Sequence, residues 1–321
     1  MLKNEKHHMR LASFLLVFLV FSACQRSSND DSAAKPQPVV MEETSKLSEY
    51  WYQGEAEINR YRLEQNRYRD LHPGEAVVVF VSEDFLTDKQ VKNDNYENPN
   101  STSVLKANIF RRFTTGIYDY SIMNSVFTPS QVADYPATMK VTLSAQDWCG
   151  QGFMQLNQRG KNYAVKQYSY FENEGDQQSE VQVQLLEDEI MSRIRINPDA
   201  LPTGKFEMLP GTAFVRLMHK PFEATEVNAS REVYTGDAFE SEQQLKVYKI
   251  EMPAFSRTME FVYQAEAPYI IEGWTDTYPS AFDKKLRTSK ATRTETMKSP
   301  YWEKNALEDT VLRNELGVEG F

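Results

Sequence analysis

Residues 139–145 read Met-Lys-Val-Thr-Leu-Ser-Ala, with Met139, Val141, Leu143 and Ala145 separated by Lys140, Thr142 and Ser144. Side chains of an extended chain alternate between two faces, so this spacing predicts a strand with one buried face. Downstream, Phe153, Gln155 and Asn157 and then residues 163–171 flank Arg159-Gly160 and read as the next hairpin. Upstream, residues 75–85 contain the run Ala76-Val77-Val78-Val79-Phe80-Val81, and the preceding His72-Pro73-Gly74 carries a turn signal, which makes residues 55–70 the expected partner strand. Residues 205–217, 244–252, 257–263 and 269–275 continue the pattern, with Pro253 and Pro268 at strand ends where a missing donor is tolerated. Many strands at short spacing predict a mainly β fold, an antiparallel curved sheet that is half-barrel or barrel-like. Two helices are expected. One covers residues 186–196, with Leu186, Ile190 and Ile194 at helical spacing; the other is C-terminal, from Ser299 and Pro300 through Leu307, Val311 and Leu312 to Gly317.

The start of the chain reads as an address. Lys3, Lys6 and Arg10 stand against the single acid Glu5, and residues 11–21 are apolar apart from Ser13. A basic segment followed by such a run predicts a signal peptide over residues 1–23; the run is shorter than the ~20 apolar residues of a spanning helix. Phe21-Ser22-Ala23-Cys24 resembles the lipobox of bacterial lipoproteins, and the resemblance implies that Cys24 is acylated and becomes the mature N-terminus. Each buried methylene of an acyl chain contributes about 0.8 kcal/mol, so the expected body is held at a membrane through its lipid anchor. The expected divisions are 1–23, signal peptide; 24–41, lipidated Cys24 and a flexible polar tether; 42–279, the β domain; and 280–321, a basic linker with the C-terminal helix. Asn29-Asp30-Asp31 resembles the surface-export signal of some lipoproteins, and the expected location is the bacterial cell envelope, outer membrane, with the periplasmic or surface face left open.

The chain carries a formal charge of −10, and removal of the three bases and one acid in residues 1–23 takes it to about −12. Such an acidic body is a poor match for nucleic acid, so no nucleic-acid partner is expected. Only His72, His219 and Cys149 remain in the body as soft metal ligands, widely separated, so no metal or other cofactor is expected. No nucleophile elbow, phosphate-binding loop or dinucleotide glycine loop occurs, so no catalytic residue is assigned. Residues 283–298 hold Lys284, Lys285, Arg287, Lys290, Arg293 and Lys298 against Asp283 and Glu295. They read as a solvated linker, or as a stretch resting on anionic lipid headgroups.

Two strand ends stand out as ligand-binding candidates. Glu83 and Asp84 close the valine-rich strand, and Asp147, Trp148 and Cys149 close the strand that begins at Met139. Were the two ends to meet, they would orient a polar group of a ligand. The competing reading is a capped strand edge with Trp148 and Cys149 buried as packing residues.

Tyr50-Trp51-Tyr52, Glu83-Asp84-Phe85, Lys89-Gln90-Val91-Lys92, Thr115-Gly116-Ile117-Tyr118, Tyr120-Ser121-Ile122-Met123, Asp147-Trp148-Cys149-Gly150 and Gly273-Trp274 together resemble a family of Bacteroidota lipoproteins. Some of its members carry the label septum formation inhibitor Maf. Maf-type pyrophosphatases begin with a Ser-Pro-Arg-Arg-like motif on an α/β fold, whereas here Phe110-Arg111-Arg112-Phe113 lacks the serine and proline, so the resemblance implies no catalytic residues.

These readings converge on a non-enzymatic, membrane-anchored β protein that binds an apolar or amphiphilic ligand such as a lipid, similar in architecture to the lipoprotein carriers LolA and LolB. The alternatives are an envelope scaffold with a protein partner, bound through a sheet edge or the C-terminal helix, and a carboxylate-based hydrolase.

Overall fold

The computed structural model describes residues 47–318, so the signal-peptide, Cys24 and tether expectations lie outside the described residues. The described residues fall within a compact unit, Pro36–Phe321. The first half of the sheet is a meander of β1 (Ala56–Arg67), β2 (Asp70–Leu86), β3 (Ser101–Thr115), β4 (Tyr118–Pro129), β5 (Lys140–Asp147), β6 (Gly150–Arg159), β7 (Asn162–Ser169) and β8 (Gln177–Gln182). A two-residue β9 (Leu185–Leu186), helix α1 (Ile190–Ile196), β10 (Gly204–Leu209) and helix α2 (Thr212–Met218) follow. The second meander is β11 (Thr225–Val233), β12 (Leu245–Met252), β13 (Arg257–Gln264), β14 (Ile271–Pro279) and β15 (Leu286–Ser299), with α3 (Thr310–Glu315) after it.

All fifteen strands form one sheet in the order β8-β7-β6-β5-β4-β3-β2-β1-β15-β14-β13-β12-β11-β10-β9. The first and last long strands pair at its centre, and every pairing is antiparallel except β9 with β10. Its two edges, β8 and β9, are joined only by Val183 and Gln184, so Gln182 and Leu185 lie within about 11 Å of each other. The sheet therefore curls round on itself without closing, and leaves a seam between β8 and β9. The fold is mainly β and barrel-like, as expected.

One face of nearly every strand supplies the core. Tyr61, Phe80, Leu105, Leu143 and Tyr163 from one side meet Phe206, Tyr248, Phe261 and Trp274 from the other. Every residue of α1 is buried, so this helix plugs the curl instead of leaving an open concavity. Two of its residues are arginines. Arg195 forms a fork–fork pair with Glu57, both side chains having no exposure, and its Nε donates to the Pro268 carbonyl at 2.8 Å. Burial alone would raise the Glu57 carboxyl, but the Arg195 guanidinium outweighs it and lowers it to about 2.

Several local expectations are corrected. His72-Pro73-Gly74 is not a turn: it lies inside β2, paired with Gln65, Glu64 and Leu63, and the reversal comes at Tyr68, whose φ is 56°. Gly74 serves close approach, since a Cβ there would collide with the Arg112 carbonyl and Phe113. Residues 205–217 are not one strand. Pro210-Gly211 breaks it, and α2 starts at Thr212, capped from another part of the chain by Glu187, which accepts from Gly211 N at 2.7 Å, and Asp188, which accepts from Thr212 N at 2.9 Å. The basic stretch 283–298 is not a linker but mostly β15. Some of its bases are tied to other elements or to their own turn: Arg287 with Asp283, Arg293 with Glu272, and Lys298 with Tyr50 O and Gln53. The C-terminal helix is short; two single turns, Tyr301–Glu303 and Leu307–Asp309, precede α3, and Gly317 ends it at φ 66°.

Candidate functional site

Strand directions give the molecule two ends. At the entry end, Leu47 leads toward β1, and the loops 86–101, 129–140, 159–162 and 182–185 gather. At the far end lie the hairpin turns 67–70, 115–118, 147–150 and 279–286.

The sequence candidates do not meet. Glu83 pairs across the ladder with Val104, which faces Pro129 at the end of β4, whereas Gln146, next to Asp147, faces Ser121 near its beginning. Glu83 is ion-paired with Lys106. Asp84 accepts from Asn93 Nδ2 at 2.7 Å and Ser101 Oγ at 2.9 Å, and so clamps the 86–101 loop. At the far end Asp147 Oδ1 accepts from Cys149 N at 2.7 Å, a local turn bond. The packing reading of this hairpin is overturned: Trp148 is 70 % exposed and Cys149 is exposed, because the tight turn carries both beyond the edge of the core.

The space that sequence reasoning missed is a cleft of about 440 Å³ at the entry end of the seam. One wall is apolar, made by Tyr135, Pro136, Ala137 and Met139 of the β4–β5 loop and by Val183 and Leu185 of the seam crossing. The rim is polar, with Gln158, Lys161, Gln182 and Gln184. The cleft exists because β8 and β9 do not pair, so nothing fills the strand-width gap between the 158–161 turn and the crossing. Val183 N still donates to Lys161 O at 2.9 Å, which fixes one side of the opening.

Glu189 forms the floor. It accepts from Leu186 N at 2.9 Å, Thr138 Oγ at 2.6 Å and Arg193 Nε at 2.9 Å, so its charge is matched within the protein. Arg193 Nη2 donates to the Pro136 carbonyl at 2.6 Å, tying α1 to the wall, while Arg193 Nη1 and the nearby Tyr163 hydroxyl are buried without a hydrogen-bond partner. Burial pushes the Tyr163 hydroxyl far above its ordinary value, so it stays neutral.

A second, internal polar cluster lies between α1, α2 and the sheet. Arg257 donates to both oxygens of Glu187 and of Asp276 at 2.7–2.8 Å, and its guanidinium stacks 3.8 Å from the Phe214 ring centroid. Asp188 beside it accepts from Asn124 Nδ2 at 2.9 Å and Thr212 Oγ at 2.8 Å, and its carboxyl is raised to about 6 by burial and by Glu187. The adjoining space is only about 50 Å³. Of the three carboxylates gathered here, Glu187 and Asp276 are held by one arginine fork and Asp188 by Asn124 and Thr212, an arrangement that builds a hydrogen-bonded, ion-paired core beside a space too small for a substrate.

Among the described residues, no group of three or more His, Cys, Asp or Glu side chains is placed to hold a metal ion, and no helix is long and apolar enough to cross a membrane. No family model matches the sequence, and no curated protein matches it. Among solved structures, the chain is similar to a β-barrel-like protein of a domain of unknown function, DUF1849, from Brucella abortus, at 10 % identity and a TM-score of 0.45, covering 79 % of this chain and 99 % of that one.

Proposed function

We propose that the protein is a lipid-anchored component of the bacterial envelope that binds an amphiphilic ligand in the seam cleft, with the apolar part against Tyr135, Met139, Val183 and Leu185 and the polar part at the Gln158–Lys161 rim. The observation that carries this reading is the cleft itself, whose volume and one-sided apolar lining match those of small-ligand sites. The lipobox-like Cys24 and the resemblance to Bacteroidota lipoproteins support the anchoring half, and the outer membrane is the proposed location. The cleft opens at the end where the chain enters the body, which suits a ligand drawn from the membrane that holds the anchor.

Titrating a dansylated fatty acid into the lipid-free chain beginning at Gln25 tests the reading. Saturable binding is expected, weakened by about tenfold or more in Ala137→Trp, which fills the cleft from a half-buried wall position, and unchanged in Trp148→Ser at the far end. Equal binding by Ala137→Trp and the parent chain would remove the cleft from the account.

A second reading, an envelope scaffold, is favoured by one feature. Phe282, Tyr68, Tyr118 and Trp148 form a row of rings across the far-end hairpins, with successive centroids 5.0, 6.4 and 6.4 Å apart. The two inner rings are half-buried and the two end rings, Phe282 and Trp148, are exposed, and exposed aromatic side chains of this kind mark protein contacts.

A further inference from the structure

We propose that the C-terminal arm, residues 300–311, together with Tyr52, is a bilayer-contact surface that seats the entry end on the uncharged interfacial zone of the membrane; the choice of occupant rests on the lipid-anchor reading of Cys24. The chain docks again only beyond the arm, where Leu316 and Val318 pack on Ala56, Ile58, Val79 and Val81 at the outer face of β1 and β2. The apolar residues before them are left in solvent, with Leu307 95 %, Tyr52 57 %, Val311 53 % and Trp302 46 % exposed. Tyr301 stacks edge-on against Trp302, with centroids 5.5 Å apart.

The arm leaves the sheet where the chain enters it. Lys298 Nζ donates to Tyr50 O at 3.1 Å and to Gln53 Oε1 at 2.8 Å, and lies 4.0 Å from the Tyr50 ring centroid. The segment that carries the proposed anchor therefore joins the body at the end from which this arm leaves. Tryptophan and tyrosine rings, with an apolar body and a polar edge, are the side chains that settle at the headgroup level. The charge on the arm selects the surface. Lys304 and Arg313 stand against Glu303, Glu308, Asp309 and Glu315, so the segment offers no basic field, and anionic headgroups oppose it. Its attraction is apolar and insensitive to salt.

The far-end aromatic row is the competitor, because residues 25–46 span at most about 80 Å and allow either end to reach a bilayer. The test is co-sedimentation of the lipid-free chain beginning at Gln25 with phosphatidylcholine vesicles at low and high salt. The combined variant Trp302→Ser, Leu307→Ser, Val311→Ser is compared with Trp148→Ser; all of these residues are exposed, and circular dichroism checks that each variant keeps the sheet. The parent chain and Trp148→Ser are expected to sediment equally at both salt concentrations, the arm variant to lose about tenfold or more in partitioning, and phosphatidylglycerol in the vesicles to weaken binding. Absent sedimentation of the parent chain, an unchanged arm variant, loss confined to Trp148→Ser, or a requirement for phosphatidylglycerol would each overturn the proposal. The anchor reading is tested separately by the mass of the full chain extracted from membranes. A Cys24 without acyl mass sinks that reading and leaves the vesicle result standing.

Discussion

Arg195 and Glu57 set the balance of the interior at the scale of single residues. Both side chains are fully buried, and Tyr50 and Asn59 add hydrogen bonds to the Glu57 carboxylate. Glu57→Gln leaves a buried guanidinium without its counter-charge and is expected to lower stability by about 3–5 kcal/mol, whereas Glu57→Met with Arg195→Met recovers most of that loss; urea unfolding of both variants measures it. A double variant as unstable as the single would show that the apolar isostere does not fit. The pH dependence separates two carboxyls. Glu57, lowered to about 2, contributes stability that is present above its ordinary value of 4.5 and lost as pH falls through 2. Asp188, raised from 3.8 to about 6, acts in the opposite sense: the fold prefers its protonated form, so stability falls as pH rises from about 4 through 6. Asp188→Asn is expected to remove a fall of about 2–3 kcal/mol across that window, read from urea midpoints between pH 4 and pH 7. An unchanged slope would assign the fall to other groups.

Elements show where sequence reasoning reaches and where it stops. β5 was legible because Val141, Leu143 and Ala145 are buried and alternate with half-buried polar residues, and the β6–β7 hairpin because Gly160 takes the positive φ its turn needs. β15 was hidden because its inward positions include Ser289 and Ala291, small residues that carry no hydrophobic signal, while its bases find partners on distant strands. β3 was hidden for a related reason, since Arg111 is drawn toward the interior by acids from other elements, Glu187 and Asp188. α2 was missed because its caps come from side chains 24 residues upstream. The cleft was illegible altogether: its wall and rim come from three loops, and its existence depends on a pairing that does not form. The free edge β8, with the sequence Gln-Gln-Ser-Glu-Val-Gln, avoids sticking through polarity and one charge. Glu180→Val is expected to give concentration-dependent association by light scattering; a monomeric variant would show that the seam itself shields this edge.

The described body is a curled sheet plugged by α1 and α2, open along the seam between β8 and β9, with its entry end and its cleft on the same side. The plug argues against a large apolar interior of the carrier type and leaves the seam cleft as the place for the proposed ligand. That makes the amphiphile reading specific. Its most direct test is native mass spectrometry of the chain beginning at Gln25, purified from cells without detergent, before and after organic extraction, beside Ala137→Trp. The account predicts a discrete extractable mass on the parent chain and none on the filled-cleft variant. A bare polypeptide mass on a folded parent chain, or the same adduct on both proteins, would contradict it.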